Sequence, residues 1–424
     1  QLRSFLVSQL PDYMIPQAFV QIEEFPLTPN GKIDRRALPE PSSSSLSAHE
    51  VAEPPVTPTE HVLVDIWKEV LKTEVVGRNS DFFDLGGHSL LAVSLMGKIE
   101  HFTGKRIPLA ILFTHSKLEQ LASYIDHADI RSDWRSLVRL KPFGNKVPLF
   151  LIHAAGLNVM LYNSMVNNLS ADQPVYGLQA KGLSGEEVPL STIEEIAAHY
   201  ISEIKSVAPR GPYAFAGFSL GGIIAFEMAR QLVQQGEVVS FVGMFDTVAF
   251  TSDKHMPVIA RYLRRIKIAV MKVAYVIWLF LTDKETREAG FLDKKFKSLK
   301  WRLRRLRFMF KAQQAYLKGD KDNLPEYLHD VHELNTRAME NYVLKPSPIA
   351  IDLFRARRQT FYIEESKTYG WSKYALNGVN IHHIPGEHST IFWPPYDKIV
   401  ADLIQQRLDK ITLESQKGSA KTTD

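Results

Sequence analysis

The sequence predicts two principal folded parts, a small all-helical domain followed by a larger α/β domain built on a parallel sheet. Three observations carry this. Apolar residues recur three and four apart from Thr59 onward, the spacing of one helix face. From Val147 strand-like and helix-like segments alternate, which implies strands laid parallel and covered by helices. Between Pro39 and Pro58 a proline-rich stretch with consecutive serines, Ser42 to Ser45, marks an extended linker. At 424 residues the chain exceeds one ordinary core, and 45% hydrophobic with 23% charged residues is usual globular composition.

The elements follow in order. Phe19 to Ile22 reads as a short strand, and Pro29-Asn30-Gly31 as a turn, so residues 1–40 form a short α+β remnant. After the linker, residues 41–56, Thr59-Glu60 opens a helix with Val62, Ile66, Trp67, Val70 and Leu71 on one face. A loop, Asp81-Phe82-Phe83-Asp84-Leu85-Gly86-Gly87-His88-Ser89, leads to a helix bearing Val93, Leu95, Met96 and Ile99. Pro108 breaks the chain, and Leu118 to Ile125 closes the domain, set at 57–128.

In the α/β part, Val147–Ile152, Pro174–Leu178, Tyr213–Gly217 and Val238–Phe245 read as strands. Thr192–Val207 and Gly222–Gln235 read as helices. A mostly helical insertion, about 250–358, interrupts the sheet, which resumes near Ala350–Phe354 and at Val379–Ile384. A helix over Tyr396–Leu408 and a polar tail, 414–424, end the chain. No internal repeat is apparent.

Composition excludes several functions. The absence of cysteine removes disulfides, thiolate metal sites and a cysteine nucleophile, and fits a reducing, cytoplasmic setting. No metal site is expected. The longest apolar run, the nine residues Val273–Leu281, is too short to span a bilayer, so no stable membrane insertion is expected. Arg261–Lys311 holds sixteen Lys/Arg against four Asp/Glu, but no nucleic-acid motif accompanies it, and solvated basic helix faces explain it. The N-terminus lacks Met and a signal-peptide pattern, as expected of a portion of a longer polypeptide.

Gly217-Phe218-Ser219-Leu220-Gly221 has the form of a nucleophile elbow, with an apolar strand before it and an amphipathic helix after. Small neighbours permit the sharp turn, and the helix N-terminus favours developing negative charge on Ser219. Asp246 stands at the end of the next strand, the edge where open α/β sheets bind ligands. His388 follows the final strand. Ser219, Asp246, His388 is the chain order of nucleophile, acid and base in an α/β-hydrolase. His153 precedes the serine, which is the wrong order, and His382 and His383 lie within a strand. The backbone N–H of Leu220 is the natural first oxyanion donor, and that of Ala155, on the loop after the first strand, is the favoured second.

Ser89 by itself reads equally as a helix N-cap or as a modified serine. Asp81–Leu90, however, resembles the phosphopantetheine attachment motif of peptidyl carrier proteins over about Thr57–His127. That resemblance implies a four-helix carrier with 4′-phosphopantetheine on Ser89, placed there by a phosphopantetheinyl transferase. Leu10–Pro16 and Pro29–Arg35 resemble the end of a nonribosomal peptide synthetase adenylation domain. There the lysine matching Lys32 contacts substrate, and with the rest of that domain missing the resemblance implies a vestigial Lys32. Residues 136–413, joined by a linker at 129–135, are similar to the thioesterase of such synthetases, with the insertion in the place of its lid.

Together the resemblances imply a termination module that works with upstream synthetase modules. A peptidyl thioester would pass to Ser219 and leave by hydrolysis or macrocyclisation. Two alternatives stand beside this: a lidded esterase or lipase acting on diffusible substrates, and a carrier fragment with an inactive hydrolase.

Overall fold

In the computed structural model, the described residues are 52–282 and 326–420, except 88, 105–106, 128–134, 184–186, 254–255 and 394, together with Ile22, Pro26 and Leu38. The segment around Lys32 and the basic stretch beyond Thr282 therefore lie outside the described residues. By compactness the chain divides into Gln1–Leu91 with His115–Ala128, and Ala92–Thr114 with Asp129–Asp424.

In the first unit, α1 (Pro58–Leu71) begins where its sequence predicts. Thr57 Oγ1 accepts from Glu60 N–H at 3.1 Å, and proline occupies the first helical position, where a missing N–H costs nothing. The turn after it is tied by Asp81, whose Oδ1 accepts from Phe83 N–H at 2.8 Å. Buried Phe82 meets Trp67 edge-on, centroids 5.5 Å apart. The turn hands over to α2 (Ser89–Thr103), whose first residue is Ser89 and whose residues from Ala92 onward are counted with the second unit. Helix α3 is Leu118–His127. Leu109–Phe113, which follows α2 in the chain, is a 3-10 turn and is also counted with the second unit.

The second unit holds a seven-stranded sheet in the order β1-β3-β2-β4-β5-β6-β7. Its strands are β1 (Leu137–Lys141), β2 (Leu149–Ile152), β3 (Val175–Leu178), β4 (Tyr213–Phe218), β5 (Val239–Phe245), β6 (Ile351–Arg358) and β7 (Val379–Glu387). All neighbours run parallel except β1 against β3. The antiparallel edge strand β1 escapes a reading of the sequence because Leu137-Val138-Arg139-Leu140-Lys141 is short and two of its five residues are charged. The central strands are buried on both faces, which is why they read as continuous apolar runs.

Helices α5 (Ile193–Lys205) and α6 (Leu220–Gln234) cover one face, with Ile196, Tyr200, Phe226 and Met228 in its core. Helices α4 (Asn163–Asn167) and α9 (Tyr396–Ala420) cover the other, with Met165, Val400, Ile404 and Leu408. The last helix runs through Ala420, so the expected polar tail is helical for most of its length. In the insertion, α7 (Val258–Thr282) and α8 (Glu326–Asn341) are described. The insertion ends earlier than expected, because β6 occupies 351–358. No helix among the described residues is long and apolar enough to cross a membrane.

Candidate active site

Register brings the ends of three strands together. Phe218 on β4 pairs with Phe245 on β5, so Ser219 and Asp246 emerge side by side at the C-terminal edge. Ser219 N–H donates to Phe245 O at 3.2 Å, and Asp246 N–H to Phe354 O at 2.8 Å.

Ser219 has φ 54° and ψ −111°, a conformation that side chains rarely adopt. The glycines around it are required by space. A Cβ on Gly217 would lie 2.2 Å from Gly221 backbone atoms, and one on Gly222 would lie 2.3 Å from Thr247 Oγ1. A Cβ on Gly221 would lie 2.5 Å from Ile152 O and 2.6 Å from His153 O. The start of α6 thus rests directly on the end of β2. That contact brings the Leu220 end of the helix to the loop that carries Ala155. Tyr162 braces the turn, donating to Ile152 O at 2.7 Å while its oxygen accepts from Phe218 N–H at 2.9 Å.

His388 Nδ1 is 2.7 Å from Asp246 Oδ2. Asp246 is 1% exposed, and the His388 side chain 31%. Asp246 Oδ1 accepts from Ala356 N–H at 2.9 Å and from the Tyr369 hydroxyl at 3.1 Å. The His388 ring lies 4.5 Å from Phe218, centroid to centroid, and Phe361 meets it perpendicularly at 5.5 Å. A base oriented by a buried carboxylate can take a proton from a hydroxyl and return it to a leaving group.

The other histidines do different work. His153 is fully buried against Tyr200, and burial lowers its pKa to about 4 despite its contact with Ala154 O, so it stays neutral. His382 Nε2 meets buried Asp352 at 2.7 Å, and Arg407 from α9 shares that carboxylate, fastening the helix to the sheet. His332, on α8, contacts Ala155 O at 3.1 Å. His332, Phe218, Phe361 and Tyr369 were missed as site residues. Apolar and aromatic residues at those places carry no motif, and only their proximity marks them. Among the described residues no cluster of His, Asp and Glu could hold a metal ion.

At Ser89 the turn fits a phosphodiester-linked group: a hydroxyl residue begins a fifteen-residue helix, whose free N–H groups favour a phosphate there. The tight approach to it has Gly86 at φ 90° and Gly87 with no room for a Cβ beside Phe82.

The fold is that of an α/β-hydrolase. The chain belongs to the thioesterase domain family, whose model matches residues 147–407, and residues 61–125 match the phosphopantetheine attachment site. It is 43% identical over 246 residues to the dimodular nonribosomal peptide synthase of Bacillus subtilis (strain 168), covering 58% of this chain and 10% of that protein. It is 30% identical over 427 residues to chondramide synthase cmdD of Chondromyces crocatus, covering 97% of this chain and 10% of that protein. Among solved structures it is similar to holo-AB3403, a four-domain nonribosomal peptide synthetase bound to AMP and glycine. There the identity is 28%, the TM-score 0.50, and the coverage 96% of this chain and 30% of that one. The chain spans about a tenth or less of the curated relatives named here. Residues 147–407 thus form a thioesterase domain, and residues 61–125 are of the phosphopantetheine-attachment type, with phosphopantetheine as the cofactor.

Proposed function

We propose that Ser219, Asp246 and His388 form the acyl-transferring site, and that Ser89 bears the phosphopantetheine. The observation that carries the first part is the 2.7 Å contact between His388 Nδ1 and Asp246 Oδ2 beside the strained Ser219 turn. When in place, phosphopantetheine supplies a thiol on which acyl and peptidyl groups are held as thioesters.

His388 takes the Ser219 proton, and Ser219 Oγ attacks the thioester carbonyl. The N–H groups of Leu220 and Ala155 receive the oxyanion. As the C–S bond breaks, His388 would give its proton to the leaving sulfur, and Ser219 would be left as an ester. His388 then removes a proton from the second nucleophile. Water gives a free acid, and an amine or hydroxyl of the peptide gives a macrocycle. Helices α7 and α8 suit a lid, since α8 reaches the Ala155 loop through His332.

We read residues 57–128 as the carrier domain and 136–413 as the thioesterase. The setting is cytoplasmic, and the partners are upstream synthetase modules, an adenylation domain and a phosphopantetheinyl transferase. Lys32 stays a vestigial adenylation lysine in this reading.

Two experiments test it. Incubation with a phosphopantetheinyl transferase and coenzyme A should add one phosphopantetheine to wild type and none to Ser89→Ala; equal gains would remove Ser89. An acyl group then loaded on the thiol should leave wild type and persist on Ser219→Ala; equal release would exclude Ser219.

A further inference from the structure

Asp246 presents one oxygen, Oδ2, to His388. Its other oxygen, Oδ1, is buried and receives Ala356 N–H and the hydroxyl of Tyr369. Tyr369 lies on the connection between β6 and β7, far from the acid in sequence, and its side chain is fully buried.

The chain around Tyr369 is held in an unusual shape. Tyr369 has φ 55° and Gly370 φ 83°, and the former is a conformation that a bulky residue seldom adopts. Glu365 fastens it. Its carboxylate accepts from the N–H groups of Lys367 at 2.6 Å, Thr368 at 3.0 Å and Gly370 at 2.9 Å, and from the Thr368 hydroxyl. From the other side, Ala249 N–H donates to Tyr369 O at 2.8 Å, and Trp371 Nε1 to Thr247 O at 2.7 Å. Both of these partners follow Asp246 closely in the chain.

The hydroxyl is also aimed. Gln359 Nε2 donates to the Tyr369 oxygen and to Ala356 O, so the tyrosine proton is left for Asp246. The Arg355 guanidinium lies over the ring, 4.9 Å from its centroid. Burial, and then the neighbouring Asp246 carboxylate, push ionisation of the hydroxyl well above the usual phenol range, so it remains a donor.

We propose that Tyr369 is a positioning residue for acyl transfer, holding Asp246 so that Oδ2 stays directed at His388 and drawing charge toward Oδ1. No proton leaves Tyr369. The inference rests on the reading of Ser219, Asp246 and His388 as the acylating site. A buried tyrosine could equally use the nearest acceptor for packing alone, and the experiment separates the two.

The test is thiol release from an acyl N-acetylcysteamine thioester by the full chain, which has no cysteine to interfere. Tyr369→Phe removes the hydroxyl and keeps the ring. It should lower kcat about tenfold, leave KM unchanged, and move the acid limb of the pH–rate profile to higher pH. The sign follows from charge: without the donor, more negative charge remains beside the imidazolium and favours it. In an Asp246→Ala background Tyr369→Phe should cost nothing further.

An unchanged kcat and acid limb would overturn the inference. So would an equal loss in the Asp246→Ala background, which would make Tyr369 structural. Wild-type turnover by Asp246→Ala itself would overturn the underlying site, a separate outcome. Should Tyr369→Phe fail to fold, Gln359→Met serves instead. It should move the same limb in the same direction by less, and an unmoved limb would count against the inference.

Discussion

Phe218, the residue before Ser219, lies against His388, with ring centroids 4.5 Å apart and planes tilted by 35°. The elbow therefore supports the imidazole of the candidate base as well as presenting the serine. Phe392 packs edge-on behind Phe218 at 5.5 Å, so the support is backed by the core.

Phe218→Ala should therefore reduce turnover through geometry. With one wall gone, the imidazole rotates about its bond to Asp246. Because small misplacements of a reacting group are costly, kcat should fall about ten- to a hundredfold. Stopped-flow acylation with a chromogenic ester would show it, and Phe218→Leu should recover part of the loss. Equal rates for Phe218→Ala and wild type would refute the support.

Gly221→Ala should be worse for the fold than its size suggests. The added Cβ would press on Ile152 O and His153 O, both backbone atoms with no rotamer to yield. The expected loss is about 3 kcal/mol, together with an α6 N-terminus displaced from the Ala155 loop. Urea unfolding measures the first, and fluorophosphonate labelling of Ser219 the second.

Glu227, 1% exposed on α6, anchors the chain just beyond α8. It accepts from Arg230 at 2.7 and 2.6 Å, from Gln231 at 2.8 Å and from the Tyr342 hydroxyl at 2.6 Å. Tyr342→Phe should cost about 2 kcal/mol, the worth of one hydrogen bond to a charged group. Glu227→Ala should cost about 4 kcal/mol, since it strands Arg230 and Tyr342 together. Guanidinium midpoints for the two variants would decide the order; a reversed order would be inconsistent with this network.

Glu365 gives a pH signature. Burial alone would raise its pKa, but the donors of Thr368, Gly370 and Lys367 bring it down from 4.5 to about 2. A depressed carboxylate contributes stability above its unfolded value and loses it on acidification. The difference between wild type and Glu365→Gln should therefore be full above pH 4.5 and fade as pH falls toward 2. Its size at neutral pH should be about 2 kcal/mol after solvent screening. Urea midpoints at descending pH would show this, and a difference independent of pH would contradict it.

Much of the site could be read along the chain. An elbow has a local pattern because sterics at a strand–helix turn demand small residues at Gly217, Gly221 and Gly222. Asp246 and His388 could be placed because each follows a strand, and parallel strands deliver their ends to one edge. The antiparallel β1 and the helical continuation of α9 through Ala420 could not. The charged residues of β1 hide its pairing, and the sequence from Glu414 to Ser419 carries no apolar periodicity.

The sequence by itself determined the strand–helix alternation and the placement of Ser219, Asp246 and His388 at the ends of strands, since each depends on a pattern within a few residues. Only the tertiary structure decided what surrounds them: Phe218 and Phe361 on the imidazole, His332 at the Ala155 loop, and Tyr369 on the far oxygen of Asp246. Most of those contacts join segments more than a hundred residues apart, and Phe361 reaches His388 from the preceding strand connection. Packing selects such partners by shape and distance, and neither quantity is written in local periodicity.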